Sequence, residues 1–556
     1  MFAIGNDELE ALDKTGKTGK ILNFTFISFG SIGKIGIDYI ASVLKKSGHQ
    51  VNNIYIGEFE SEIPSLSKIE IDLVIGLIKN LKTDVVGFGV FSIFFNLACQ
   101  LTEPIKKQTN IPVIWGGPHA TLFPEICIEH ADIVCIGEGE KVMSELADNL
   151  SSGKSIEDIK NLWVKSDSKI IKNELEPLNQ DLDLLPFPDH GYENKWFIEN
   201  GKLYSLTKEW AEQKKRYEIF SSRGCPYKCT FCSNNVFHSI FSGKPVRQRS
   251  VKNVIEELKE AKRRFPNLKT IYFFDEVFAV DEKWLKEFYG EYKSHINIPF
   301  GMCSHPNHIK KETVSLLKTA GCNQMDIGIQ SGSDHIRTHI YKRHTANETI
   351  INMNKILRES GINGCYDFIM DNPFETENDY RQTFELMLKI RPFKLRLYSL
   401  AFFPKTEITE MALSQGLISQ DRIQGANLET HKFHQWGGNT GVFKEAEGER
   451  TKENVFWSNL FMLASYSFVP NKILWALSKN KFLKKYPHSL SLVESLIKKY
   501  TRKISSYKNY FRVGLRYILR GQTLELLSKL LAKAGNHVQT KPIMIEIKPD
   551  ISPPKV

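Results

Sequence analysis

Cys225, Cys229 and Cys232 lie in the run Arg223-Gly224-Cys225-Pro226-Tyr227-Lys228-Cys229-Thr230-Phe231-Cys232, a CxxxCxxC spacing. Three thiolates on one short loop can ligate three irons of a cubic [4Fe-4S] cluster, which ordinarily takes four cysteines, and so leave one iron open. An open iron can bind and activate a small molecule, which points to catalysis rather than electron storage. Structural zinc wants four closed ligands, usually as paired CxxC knuckles, and no second pair follows here. The other six cysteines, Cys99, Cys127, Cys135, Cys303, Cys322 and Cys365, are scattered singly. That is the pattern of reduced, mostly buried thiols in a reducing compartment.

An apolar run with Tyr217, Ile219 and Phe220 precedes the triad, and the aromatic Phe231 directly precedes its last cysteine. In this the chain resembles the radical S-adenosyl-L-methionine (SAM) enzymes. The resemblance implies that the open iron chelates the amino and carboxylate groups of SAM. An electron from the cluster then cleaves the sulfonium to a 5′-deoxyadenosyl radical, which abstracts hydrogen.

Such a loop needs a scaffold. Residues 216–403 read as six strand-and-helix repeats, with strands at 217–222, 270–274, 300–303, 325–329, 365–370 and 395–402. Parallel barrels place chemistry at the carboxyl ends of their strands. The triad follows the first strand, and Asp275 with Glu276, His305, Gln330 with Ser331, and Asp371 with Asn372 stand at other strand ends. The resemblance implies a partial (β/α)6 barrel in which Phe231 lies near the adenine of SAM, Asp275 or Glu276 takes its amino group, and Gln330 and Ser331 lie near its ribose. The family often carries glutamate where this chain has Gln330. Glu375 and Thr376 suit a structural role, Thr376 capping a helix with Asp379 three residues on.

Upstream, strands at 21–29, 50–56, 84–91, 111–115 and 132–136 alternate with helices of roughly ten to fifteen residues. This is an α/β, doubly wound parallel sheet of Rossmann-like type, which binds ligands at its strands' carboxyl ends. Glycines gather there: Gly30, Gly33 and Gly36, then Gly116 and Gly117, then Gly137 and Gly139. A dinucleotide is one candidate ligand, with Glu58 as the ribose acid, but the first loop reads GxxGxxG rather than GxGxxG. The runs Gly116-Gly117-Pro118-His119, Pro124-Glu125 and 131–140 resemble the cobalamin-binding domain fused to one radical SAM branch, and cobalamin is the favoured ligand. The resemblance implies contacts from Gly30, Ser31, Gly33, Gly116, Gly117, His119, Gly137 and Glu138. No Asp-x-His-x-x-Gly motif follows the first strand, so that loop offers no histidine beneath cobalt. His119, on another loop, reads more naturally as a hydrogen-bonding residue.

These elements predict a leader at 1–20, a cobalamin-binding domain at 21–150, an interdomain linker at 151–213, a radical SAM barrel at 214–404 and a helical, basic C-terminal region at 405–556. The first twenty residues show no basic-then-apolar signal, and no apolar stretch is long enough to span a bilayer, so a cytoplasmic enzyme is expected. Between 479 and 533 fourteen basic residues face two acids, a surplus of +12 against +10 for the whole chain. Arg512, Arg516 and Arg520 share one predicted helix face, which suits peripheral contact with an anionic membrane, an acidic partner, or a solvated face on a helix covering the barrel mouth. Phe456, Trp457, Phe461, Tyr466, Phe468 and Trp475 could add apolar insertion or equally pack on the barrel. No recognised nucleic-acid reader is present. The resemblance implies a small-molecule or lipid-like substrate, an electron donor such as a flavodoxin or ferredoxin, and a methyltransferase acting at an unactivated carbon. One SAM would supply the methyl through cobalamin and a second the radical. Cyclisation, oxidation or rearrangement, and a non-catalytic iron–sulfur and cobalamin sensor, stay open.

Overall fold

A computed structural model describes residues 19–30, 34–57, 65–167, 169–420 and 452–491, and the backbone of 545–546. Ser31, Gly33, Glu58, most of the leader and Arg512, Arg516 and Arg520 lie outside the described residues.

The first sheet is built on five parallel strands, β1 (Asn23–Phe29), β2 (Gln50–Ile56), β3 (Val85–Gly89), β4 (Val113–Gly116) and β5 (Ile133–Cys135), in the order β2-β1-β3-β4-β5. β1 is buried on both faces, so its polar Thr25 and Ser28 are enclosed along with Phe24, Phe26 and Ile27. Helices cover both sides. One of them, Lys68–Asn80, begins at a capping box in which Ser67 and Glu70 satisfy each other's backbone N–H groups. The order reverses between β1 and β3, and ligands of such sheets sit outside the strand ends at that switch point.

The segment predicted as a linker does more than connect. It contributes β6 (Leu162–Ser166), β7 (Lys169–Lys172), β8 (Lys195–Glu199) and β9 (Lys202–Ser205) to this sheet. β8 runs parallel to β2, whereas β6, β7 and β9 pair antiparallel. The sheet is therefore mixed at its edges. Lys195, on β8, donates to Asp38 of the first helix, and both side chains are buried.

The barrel sheet has six parallel strands in sequence order: β10 (Arg216–Ile219), β13 (Thr270–Phe273), β14 (Phe300–Ser304), β15 (Cys322–Gln330), β16 (Asn363–Met370) and β17 (Lys394–Ser399). A separate ribbon, β11 (Ser222–Arg223) with β12 (Arg247–Gln248), flanks the cysteine loop. The predicted first strand is thus split after Ile219. Helix Val251–Arg264 shows how the outer layer forms. Ser250 caps its start, Val254, Ile255, Leu258 and Ala261 are buried, and Lys262, Arg263 and Arg264 meet the negative end of its dipole.

After the barrel, helix Lys452–Ser465 packs against helix Glu377–Ile390 and shares the barrel's core. Phe456, Trp457 and Phe461 are buried there, so they are not available for membrane insertion. Arg391 fastens the helix end by donating to the carbonyls of Ala464, Tyr466 and Val469. The C-terminal region also contains a strand, β18 (Ile545–Glu546), paired with β9. Among the described residues no helix is long and apolar enough to cross a membrane.

Candidate active site

Gly224 opens the cysteine loop with φ +93, and any side chain there would strike the Pro245 carbonyl, its Cβ lying 2.1 Å from that oxygen. Cys229 is buried, Cys225 and Cys232 are half-buried, and Cys232 starts the helix Ser233–Ile240. The middle of the loop is held by Thr230, whose hydroxyl donates to the Ile340 carbonyl at 2.7 Å and whose N–H donates to that of Tyr341 at 3.1 Å. Both acceptors lie at the end of a short π-helix, Ile336–Ile340, a distortion that recurs at functional sites. Burial pushes the Cys225 thiol up to about 11 and the Cys232 thiol up to about 12.

The donor set fits a cluster. Among the described residues no three His, Cys, Asp or Glu side chains converge on a single ion. A cubic cluster instead meets a three-cysteine loop one thiolate per iron. Arg343 donates from Nη1 to Cys229 Sγ at 3.5 Å, a cation set where a thiolate would need one. Tyr227 stacks on His305 with ring centroids 3.7 Å apart. His305 is buried, and burial, with Arg343 and His308 nearby, drives its imidazole down to about 2. It is therefore neutral and shields the loop without adding charge.

The acidic pair at the end of β13 divides into two roles. Asp275 is fully buried and accepts from the Ser221 N–H at 3.1 Å, the Ser221 hydroxyl at 2.6 Å and the Ser222 hydroxyl. Its oxygens are engaged in fixing the chain just before the triad. Glu276 is solvent-accessible yet lies deep in the mouth, where desolvation raises its carboxyl, the neighbouring Asp275 adds to this, and Asn234 and the Gly224 N–H counter it. Gly224 opens the cysteine loop and Asn234 lies in the helix that follows it, so Glu276 sits beside that loop.

Phe231, Gln330, Asp367, Ile369, Tyr398 and Ser399 line a cavity of about 250 Å³ at the ends of β15, β16 and β17. Gln330 adopts φ +74 at a register shift in β15, which turns it out of the strand alternation. Ser331 does not reach this cavity; its buried hydroxyl lies 3.4 Å from Glu375 and 3.3 Å from Thr383. Glu375 is half-buried, and desolvation, with Asp379 beside it, holds its carboxyl well above the usual range. Thr376 donates its N–H and hydroxyl to Asp379, as a helix start requires.

In the first sheet, Gly30 (φ +86) follows β1 and Gly117 (φ +95) follows β4, both at the carboxyl ends of their strands. A Cβ on Gly117 would sit 3.1 Å from the backbone of Val90. His119 is buried between Phe95 and Phe123, with ring centroids 4.7 and 4.6 Å away, and its Nδ1 lies 2.9 Å from the Ser92 hydroxyl. This is a packed residue of the short helix Pro118–Leu122 that follows β4. Glu138 points to the barrel, bonded to Arg223 and Arg247. Burial would raise its carboxyl, but the two guanidinium groups hold it below the usual range. Sequence reasoning missed Arg223, Arg247 and Arg343. Arg223 stands directly beside the motif, whereas Arg343 reaches it only through the fold.

Comparison with known proteins agrees with this geometry. The Radical SAM superfamily pattern matches residues 219–387 and the B12 binding domain pattern residues 28–147. The chain belongs to the cobalamin-binding radical SAM enzymes, whose cofactors are a [4Fe-4S] cluster, SAM and cobalamin. It is 27% identical over 389 residues to an uncharacterised methyltransferase of Pyrococcus horikoshii, covering 69% of this chain and 79% of that one. It is 25% identical over 370 residues to an anaerobic magnesium-protoporphyrin IX monomethyl ester cyclase of Rubrivivax gelatinosus, covering 63% and 61%. The cobalamin-dependent SAM radical enzyme OxsB shares the fold at TM-score 0.61 and 14% identity, over 93% of this chain and 80% of that structure.

Proposed function

We propose that the protein is a methyltransferase acting at an unactivated carbon of a small-molecule or lipid-like substrate. The reading rests on one juxtaposition: the loop after β5 of the cobalamin sheet meets the cysteine loop through Glu138 and Arg223, so both cofactors would face one chamber. When bound, the cluster supplies reductive cleavage of SAM and cobalamin supplies a methyl group. In this reading Cys225, Cys229 and Cys232 hold three irons. Glu276 takes the SAM amino group, Phe231 bounds the adenine and Gln330 the ribose. Gly30, Gly116 and Gly117 let backbone approach the corrin, with Ser31 and Gly33 in the same loop as Gly30. We keep the functional division at 21–150, 151–213, 214–404 and 405–556, with strands of the second segment completing the first sheet. A flavodoxin- or ferredoxin-like donor would deliver the electrons. The methyltransferase relative supports the reading.

The cyclase relative, of comparable identity, favours a second reading, radical cyclisation or oxidation without methyl transfer. SAM with a deuterated methyl group separates the two. Methylation gives labelled product with both S-adenosylhomocysteine and 5′-deoxyadenosine, whereas 5′-deoxyadenosine with unlabelled product would sink it and leave the cyclase-like reading.

A further inference from the structure

The cysteine loop is tied to the cobalamin-binding domain on both sides. Before it, Arg223 donates from Nη1 to Glu138 Oε1 at 2.8 Å and from Nη2 to Glu140 Oε1 at 2.6 Å. Arg247, on the paired strand β12, donates to both Glu138 oxygens at 2.8 Å and to the Asn179 carbonyl at 2.8 Å. The Arg223 guanidinium also lies over the Tyr39 ring, 5.0 Å from its centroid. Two arginines thus meet two glutamates, and none of the four side chains is more than 19% exposed. Beyond the loop, Val236 packs with Leu122 and Phe123, and Phe241 enters the core beneath the first sheet. A Cβ on Gly137 would lie 2.6 Å from Phe241 Cζ, so this glycine admits the ring.

A guanidinium gripped by two carboxylates fixes direction as well as distance, because its donors form a rigid planar fork; a lysine is a point charge on a flexible stem. The fork is two residues from Cys225. Chemistry shared between two cofactors depends on their separation, and a misplacement of about 1 Å can cost about 100-fold in rate. We propose that Arg223, held by Glu138 and Glu140, is a positioning residue that sets the separation of the cluster from the corrin. It acts through the cysteine loop and reassigns Glu138 from cofactor contact to interdomain strut.

The test uses the reconstituted holoenzyme and the variants Arg223→Lys and Glu140→Gln. Pulsed electron paramagnetic resonance reads the distance between cob(II)alamin and the reduced cluster, and product analysis reads methylated product per 5′-deoxyadenosine. Iron and cobalamin contents of Glu140→Gln are expected to match the parent, its distance distribution to broaden, and its product ratio to fall at least about tenfold. The exposed pair of Lys107 with Glu103 supplies a control, Lys107→Gln, in which neither readout moves. An unchanged distance distribution in both variants overturns the proposal. Loss of cobalamin with an unchanged distance in the molecules that retain it overturns it too, making the pair a retention device. Should Arg223→Lys not fold, Glu140→Gln removes one arm alone and decides. The product ratio rests on the methyltransferase reading, but the distance does not, so failure of one is distinguishable from failure of the other.

Discussion

Nine thiols share one chemistry, and their surroundings separate them. Cys303 lies in the barrel interior, 3.5 Å from the Tyr272 hydroxyl, while the triad shares one loop beside Arg343. Cys225→Ala, Cys229→Ala or Cys232→Ala is expected to abolish the brown chromophore and SAM cleavage after anaerobic reconstitution, and Cys303→Ala to preserve both; a fully active Cys229→Ala enzyme would refute the assignment. The acids of β13 call for opposite outcomes. Glu276→Gln should raise the KM for SAM at unchanged melting temperature. Asp275→Asn should lower the melting temperature, since an amide offers Ser221 and Ser222 one acceptor oxygen in place of two, an effect of roughly 0.5–1.5 kcal/mol per lost bond. A pH effect follows from Asp367, whose carboxyl burial pushes up to about 6 against the opposing pull of Arg396. The folded chain binds that proton more tightly than the unfolded chain. The stabilisation is therefore complete below the ordinary value of 3.8 and is lost as pH rises through about 6. Denaturant midpoints of Asp367→Asn should lack this decline, and an identical pH slope in both proteins would rule it out. Cysteine spacing is local, so the sequence alone already sets the three thiols on one loop. Which of Asp275 and Glu276 is engaged depends on Ser221 and Ser222, brought there by a parallel neighbour strand, and no local pattern carries that.

At the scale of elements, the barrel strands were legible because each is a run of apolar, β-branched or aromatic residues followed by an amphipathic helix of the 3.6-residue period. The strands of 151–213 were not, for physical reasons. β7 is mostly exposed and β9 has a single fully buried residue, so neither carries the apolar signature of a parallel core strand. Their partners, β6 and β8, are distant in sequence from the strands they extend. Helix Lys452–Ser465 carries two readings in the sequence: its aromatic content suits a membrane surface and a protein core equally, and only the neighbouring helix Glu377–Ile390 decides. Trp457 is buried there beside Tyr380 and Phe384. Trp457→Ala should therefore destabilise the fold by about 3–5 kcal/mol, read by chemical denaturation, with iron content unchanged in the folded fraction. A loss below about 0.5 kcal/mol, the range of surface substitutions, would show that this helix is not part of the core.

Over the whole molecule, net charge is concentrated rather than spread, and the described end of the C-terminal region shows how that charge is presented. From 466 to 491 there are five lysines, Lys472, Lys479, Lys481, Lys484 and Lys485, and no acid. Lys484 pairs with Glu377 of the barrel. In the same stretch Phe468, Ile473, Phe482 and Tyr486 are exposed, the kind of large apolar side chain that a folded core normally takes in. Basic residues interspersed with exposed aromatics suit the headgroup region of an anionic bilayer, where each lysine contributes about 1 kcal/mol and apolar insertion adds to it. We propose peripheral attachment through this stretch. Screening acts within about 8 Å at physiological salt, so the electrostatic part should weaken with salt while the apolar part does not. Vesicles containing phosphatidylglycerol are expected to sediment the protein at low salt and phosphatidylcholine vesicles to leave it in solution. Phe482→Ser with Ile473→Ser should reduce the salt-resistant fraction, and Lys479→Gln with Lys481→Gln the salt-sensitive one, neither changing iron content. Failure to sediment with either vesicle, or no loss in either pair of variants, would remove the membrane from the account and leave this surface to another part of the chain or to a protein partner.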